Sequence, residues 1–225
     1  MTQFGNFNRL IELVMIDNLF TNRHHKNKVM ELFVFYISVN KEFVYQFIKN
    51  ETQDHVGYMR GLLNYFSEVE FSGEEGAFYS KFKFRSGLMS ILERMWQEDF
   101  YRKVTVETRK TEEFNRFVGH IITDLNYCMD EGFQKVPRYK ELHSQKSSLN
   151  EEQLQELSTT KRIIKFSFSM GKDTLKILRI LTEMTPETFD TDDWRTKFAQ
   201  VINYYAQKLS TKNFKMYRVV FYDQD

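Results

Sequence analysis

Apolar positions recur at helical spacing along almost the whole chain, and residues that stop helices are scarce. Two prolines, Pro137 and Pro186, and nine glycines occur in 225 residues, so long helices are permitted nearly everywhere. Leu10, Leu13, Val14 and Ile16 predict a helix over residues 6–19, and further helices follow over 28–39 and 41–48. Leu62, Leu63, Phe66 and Val69 continue the helical spacing. Ser72, Gly73 and Gly76 then predict a turn, because glycine accepts the left-handed conformation that ends many helices. Glu74 and Glu75 suit the positive end of the next helix.

That helix, over 75–97, carries two apolar stripes. Phe78, Phe82, Met89, Leu92 and Trp96 lie along one, and Phe84, Leu88, Ile91 and Met95 along the other. A helix with two such stripes must be covered on two sides. The expected fold is therefore all-α, either an armadillo-like stacked helical array or a compact helical bundle. No internal sequence repeat chooses between them.

Residues 99–110 read as a charged connection of weak periodicity. Phe114, Phe117, Val118, Ile121, Leu125 and Cys128 mark an amphipathic helix ending near Gly132, with Glu113, Arg116 and Thr123 on its polar side. Between 136 and 157 the composition turns polar, which predicts a solvated loop or a partly detached helix. A long helix follows, with Ile164, Phe168, Leu175, Leu178 and Leu181 on one face, and it stops before Pro186. The last helix starts near Thr191 and carries Trp194, Phe198, Val201, Ile202, Tyr205 and Leu209. Residues 216–222 form a short apolar tail, a strand candidate.

Charge and composition narrow the function classes. Lys plus Arg number 32 against 31 Asp plus Glu, with a pI near 7.8, well short of the pI above about 9 that marks a nucleic-acid-binding domain. No nucleic-acid partner is expected. The longest stretch without Asp, Glu, Lys or Arg is ten residues, 198–207, whereas a membrane span needs about 20 apolar ones. No membrane partner is expected either, and Glu12 and Asp17 interrupt the first apolar segment, against a secretory signal. A single cysteine, Cys128, cannot close an intramolecular disulfide, which agrees with the reducing cytoplasm and nucleus.

Candidate chemistry is sparse. His24 and His25 are adjacent, so on a helix they point about 100° apart and cannot share one metal face. His55, His120 and His143 stand alone, and no phosphate-binding glycine loop or nucleophile elbow occurs. No metal, cofactor or catalytic residue is expected. Cys128 could carry a thioester only if a cationic or helix-N-terminal setting lowered its pKa. It instead falls late in a helix at core spacing, followed by Asp130 and Glu131, and reads as a buried structural thiol.

The most distinctive stretch is 64–85, NYFSEVEFSGEEGAFYSKFKFR, followed by Leu88, Ile91 and Trp96. An aromatic helix, a Val-Glu and Ser-Gly turn, and a resumed Phe-Tyr-x-Lys-Phe-x-x-Arg helix closing on Trp occupy Val69, Glu70, Ser72, Gly73, Phe78, Tyr79, Lys81, Phe82, Arg85 and Trp96. This long, irregularly spaced pattern resembles the ubiquitin elongating factor core family, the core of U-box ubiquitin chain-elongation factors. Residues 114–132, 175–181, 186–189 and 198–209 resemble further parts of that core in the same order. One departure is that Asn27 runs directly into Lys28, where the family usually has Lys-Asn-Pro and several more residues.

The resemblance implies that residues 1–225 are a partial core within an armadillo-like scaffold, acting in ubiquitin chain elongation and protein turnover. It implies ubiquitin-pathway partners, a ubiquitin-conjugating enzyme where a U-box is present, and an AAA-type ATPase of the valosin-containing class. No segment here reads as a U-box, so the chain alone is expected to be inactive. The rival reading is a non-catalytic protein-binding scaffold derived from the family. On their own spacing, Phe78, Phe82 and Trp96 are expected in the core, and Glu70 and Arg85 are expected to pair across the turn.

Overall fold

A computed structural model describes residues 10, 11, 13, 14, 22–39, 55–69 and 77–210. Its helices are α1 (Arg23–Val39), α2 (His55–Glu68), α3 (Ala77–Met95), α4 (Asp99–Thr108), α5 (Glu112–Ser144), α6 (Glu151–Met184), the single turn α7 (Pro186–Phe189) and α8 (Asp192–Ser210). A 3₁₀ turn, Lys146–Ser148, joins α5 to α6. Among the described residues there is no strand. The chain is all-α and divides into two compact units of packed helices, Met1–His120 and Ile121–Asp225. The expectations for 41–48 and 216–222 lie outside the described residues.

In the first unit α3 is the inner helix that its two stripes predict. Phe82, Met89, Leu92 and Trp96 on one stripe are buried, and so are Phe84, Leu88, Ile91 and Met95 on the other. α1 packs on α3, while α2 packs on both α3 and α4. α1 comes close to α3 at Gly87, where an added Cβ would fall inside the van der Waals shell of Val34 Cγ1. α1 begins earlier than the apolar pattern predicts. Its extra turn is held by Lys26, which is 7% exposed and reaches Glu68 at 3.3 Å.

Residues 99–108 are not a connection but the helix α4. It buries Tyr101, Val104, Thr105 and Thr108, a helical stripe in which two of the four positions are polar by residue type. Both threonines satisfy themselves locally: Thr105 Oγ1 donates to Tyr101 O at 2.8 Å and Thr108 Oγ1 to Thr105 O at 2.9 Å. An apolar-periodicity reading therefore passes over the helix.

In the second unit α5 does not end at Gly132. That glycine sits under the Phe168 ring of α6, where an added Cβ would lie 3.1 Å from Cζ, so its role is close helix approach rather than termination. The stretch 136–157, expected as a loop or partly detached helix, is helical except at the 145–150 joint. Val136, Tyr139, Leu142, Leu157 and Thr160 are buried and carry the packed face through it. Pro137 lies within α5 on an exposed position. The joint re-enters helix through a capping box, with Gln153 N–H donating to Asn150 Oδ1 at 2.9 Å and Asn150 N–H to Gln153 Oε1 at 3.1 Å. α6 stops at Met184, before Pro186, as predicted. α8 docks through Tyr205, which stacks on Phe133 with ring centroids 6.0 Å apart and donates to Asn126 O at 2.9 Å.

Candidate functional site

The motif residues gather where α2 ends and α3 and α4 pack against it. A helix leaves its last carbonyls without intrahelical donors and carries partial negative charge there. At the end of α2 those carbonyls are met by Arg85 of α3, only 1% exposed, whose Nε donates to Phe66 O at 3.1 Å and whose Nη2 reaches Val69 O at 3.4 Å. Its guanidinium also lies 5.0 Å from the centroid of the Phe66 ring. A buried cation is tolerated only when its donors are occupied, and helix-end carbonyls with an aromatic face meet that need. Phe66 in turn stands edge-on to Phe117, centroids 4.9 Å apart. From the other side, Lys26 reaches Glu68 and lies 5.4 Å from the Tyr65 ring, and Tyr65 Oη donates to Asn27 Oδ1 at 2.8 Å. The α2 terminus is thus clamped by basic side chains from two other helices.

Of the other motif positions, Val69 and Phe82 are buried, and Lys81 is half-buried with its ammonium 5.4 Å from the Phe82 ring. Glu70 and Gly73, and with them the expected Glu70–Arg85 pair, lie outside the described residues, as do the side chains of Phe78 and Tyr79 in the first turn of α3. Trp96 is 1% exposed, and its Nε1 donates to Thr105 Oγ1 at 2.8 Å. Arg102 Nε donates to Trp96 O at 2.6 Å. Tyr101 continues the network to α2, its hydroxyl 2.6 Å from His55 Nδ1. Burial, with a contribution from Glu98, pushes the Tyr101 hydroxyl pKa well up, so it remains a protonated hydroxyl. Sequence reasoning named Trp96, and His55 only as an isolated histidine, but not Thr105 or Tyr101. Their helical spacing was the available signal, and threonine's polarity hid it.

Beside this frame, α2 and the start of α5 border an open polar cleft of about 390 Å³. Gly57 and Gly61 leave its floor without side chains, and Arg60, Asn64, Glu113 and Arg116 rise around it. Arg60 Nη2 donates to Glu113 Oε1 at 3.0 Å, and Arg116 Nη2 to Asn64 Oδ1 at 3.2 Å. The Glu113 carboxyl is held below its ordinary pKa, first by its own backbone N–H in the opening turn of α5 and then by Arg60. These groups form a hydrogen-bonding surface and carry no nucleophile. Cys128 is 1% exposed, as its spacing predicts. Among the described residues no grouping of His, Cys, Asp and Glu is arranged to hold a metal ion, and no helix is long and apolar enough to cross a membrane.

The assembled motif is thus a packing frame, and its pattern over the chain can be compared with known proteins. The ubiquitin elongating factor core profile matches residues 3–223. The chain belongs to the ubiquitin elongating factor core family. Similar proteins include the E4 ubiquitin-protein ligase UFD2 of Saccharomyces cerevisiae, 23% identical over 233 residues that take in 92% of this chain and 24% of the yeast protein. The ubiquitin conjugation factor E4 ufd-2 of Caenorhabditis elegans is 26% identical over 66% of this chain and 16% of its own length. A probable ubiquitin conjugation factor E4 of Arabidopsis thaliana is 23% identical over 67% and 16%. The chain therefore spans about a sixth to a quarter of the length of the curated relatives it matches. Within the ubiquitin elongating factor core, Arg85 and Trp96 hold helix ends together.

Proposed function

We propose that the protein acts in ubiquitin chain elongation as a scaffold segment of a U-box-type ligase, supporting polyubiquitination and ubiquitin-dependent protein turnover. The observation that carries this reading is the family match across residues 3–223, supported by the burial of its motif residues Val69, Phe82, Arg85 and Trp96. Such a scaffold contributes no reacting group; it positions ubiquitin-pathway partners so that transfer proceeds by alignment. A ubiquitin-conjugating enzyme is a partner where the whole protein carries a U-box, and a valosin-class AAA ATPase is a second partner. The working compartments are the cytoplasm and nucleus.

A tagged copy captured from its own cells should lengthen chains on a monoubiquitylated substrate when ubiquitin, activating enzyme and conjugating enzyme are added. Failure to do so, with no ubiquitin-pathway protein retained, would overturn the reading. The purified 225-residue protein should give no elongation in the same assay, and chains formed by it would overturn the non-catalytic role. An immunoblot of native protein discriminates further: a band well above 27.2 kDa favours a segment of a complete ligase. A band at that mass favours a protein-binding scaffold derived from the family.

A further inference from the structure

The joint between α5 and α6 forms a cavity of about 200 Å³ that belongs to none of the features above. Tyr139 and Leu157, 3% and 7% exposed, make its apolar floor, and Leu154, 41% exposed, stands at its mouth. Around this floor are Lys146 of the 3₁₀ turn, Lys161 of α6, the Ser158 hydroxyl and His143, whose ring lies 5.5 Å from that of Tyr139. No aspartate or glutamate lines it.

Helix geometry keeps Glu156 out of the lining. At about 100° per residue, Leu154, Leu157, Ser158 and Lys161 share one face of α6 and Glu156 lies on the opposite one. There Glu156 takes a two-point contact from Arg138, at 2.8 and 2.7 Å, and Arg138 also holds Glu141 at 2.9 Å. The Arg138 cluster therefore lies away from the cavity, which Lys146 and Lys161 border.

Size and chemistry select the occupant. Small-molecule sites usually occupy about 300–1,000 Å³, so this cavity is small for a nucleotide or cofactor and suits a single side chain. An apolar floor beside two ammonium groups matches an apolar residue flanked by carboxylates, and charge complementarity of this kind selects partners. We infer that the cavity docks an acidic peptide segment of a partner protein, one aliphatic or aromatic side chain filling it while a neighbouring carboxylate meets Lys146 and Lys161.

Fluorescence anisotropy with short fluorescein-labelled peptides tests this on the 225-residue protein. A peptide alternating Leu and Glu should bind saturably, and its counterpart with Gln at every Glu should bind about tenfold more weakly. The double variant Lys146→Glu with Lys161→Glu should weaken the Glu peptide about tenfold, and Leu154→Ser several-fold, with circular dichroism melts matching the parent. Equal binding of the Glu and Gln peptides, undiminished binding by the folded double variant, or no saturation by the Glu peptide would each overturn the assignment. So would binding confined to phosphatidylcholine vesicles with about one-fifth phosphatidylserine, which would make the lysines a membrane contact.

Discussion

Arg85 is the residue whose role depends most on its surroundings. In sequence it is one of a run of basic residues at the start of a helix, with Glu70 as the nearest motif partner of opposite charge. In the fold it is buried and spends its donors on Phe66 O and Val69 O. Removing it would leave helix-end carbonyls in an apolar setting, where an unsatisfied buried group costs about 1–3 kcal/mol. Arg85→Met should therefore lower stability by about that amount although it preserves apolar volume, read as a fall in the denaturant midpoint. Arg85→Lys should recover only part, since an ammonium cannot present the planar fork that spans two carbonyls. Full stability in Arg85→Met would mean that the carbonyls find other donors. Trp96 behaves as its spacing predicts, but its indole N–H needs Thr105, a partner no local pattern identifies.

Among the elements, α3 was the most legible and α4 the least. The α3 stripes consist of large apolar residues on two faces, and both are buried. α4 presents Tyr101, Val104, Thr105 and Thr108, in which threonine breaks the apolar count while its hydroxyl bonds within its own helix. The packing of α1 on α3 offers a sharp test at Gly87. In an open helix Gly→Ala gains about 1 kcal/mol, but here the new methyl would meet Val34 Cγ1. Val34 is β-branched and stiff about χ1, so overpacking at about 1–3 kcal/mol should prevail and Gly87→Ala should be destabilising. Adding Val34→Ala should reverse that sign relative to Val34→Ala alone, a coupling that a double-mutant cycle measures directly. Additive effects would show that α1 simply moves aside.

For the whole molecule, alkaline stability follows from tyrosines buried in both units. Burial pushes the pKa values of Tyr58, Tyr65 and Tyr101 well up in the first unit, and that of Tyr205 in the second. A group whose folded pKa lies above its unfolded value of about 10 contributes stability in full below that pH and loses it as pH rises toward the folded value. The buried four should ionise only together with loss of helix, and phenolate absorbance rising fully before that loss would contradict their burial. Sequence alone determined the all-α class, most helix positions and the family, because dense apolar periodicity and an irregular motif are local properties that survive without partners. Tertiary structure decided what the polar residues do. Lys26 and Arg85 reach the end of α2 from α1 and α3, the Thr105 hydroxyl lies where the indole of Trp96 needs it, and buried residues carry α5 and α6 through the polar stretch 136–157. A buried polar side chain needs a partner, and for Lys26, Arg85 and the Trp96 indole that partner stands on another helix.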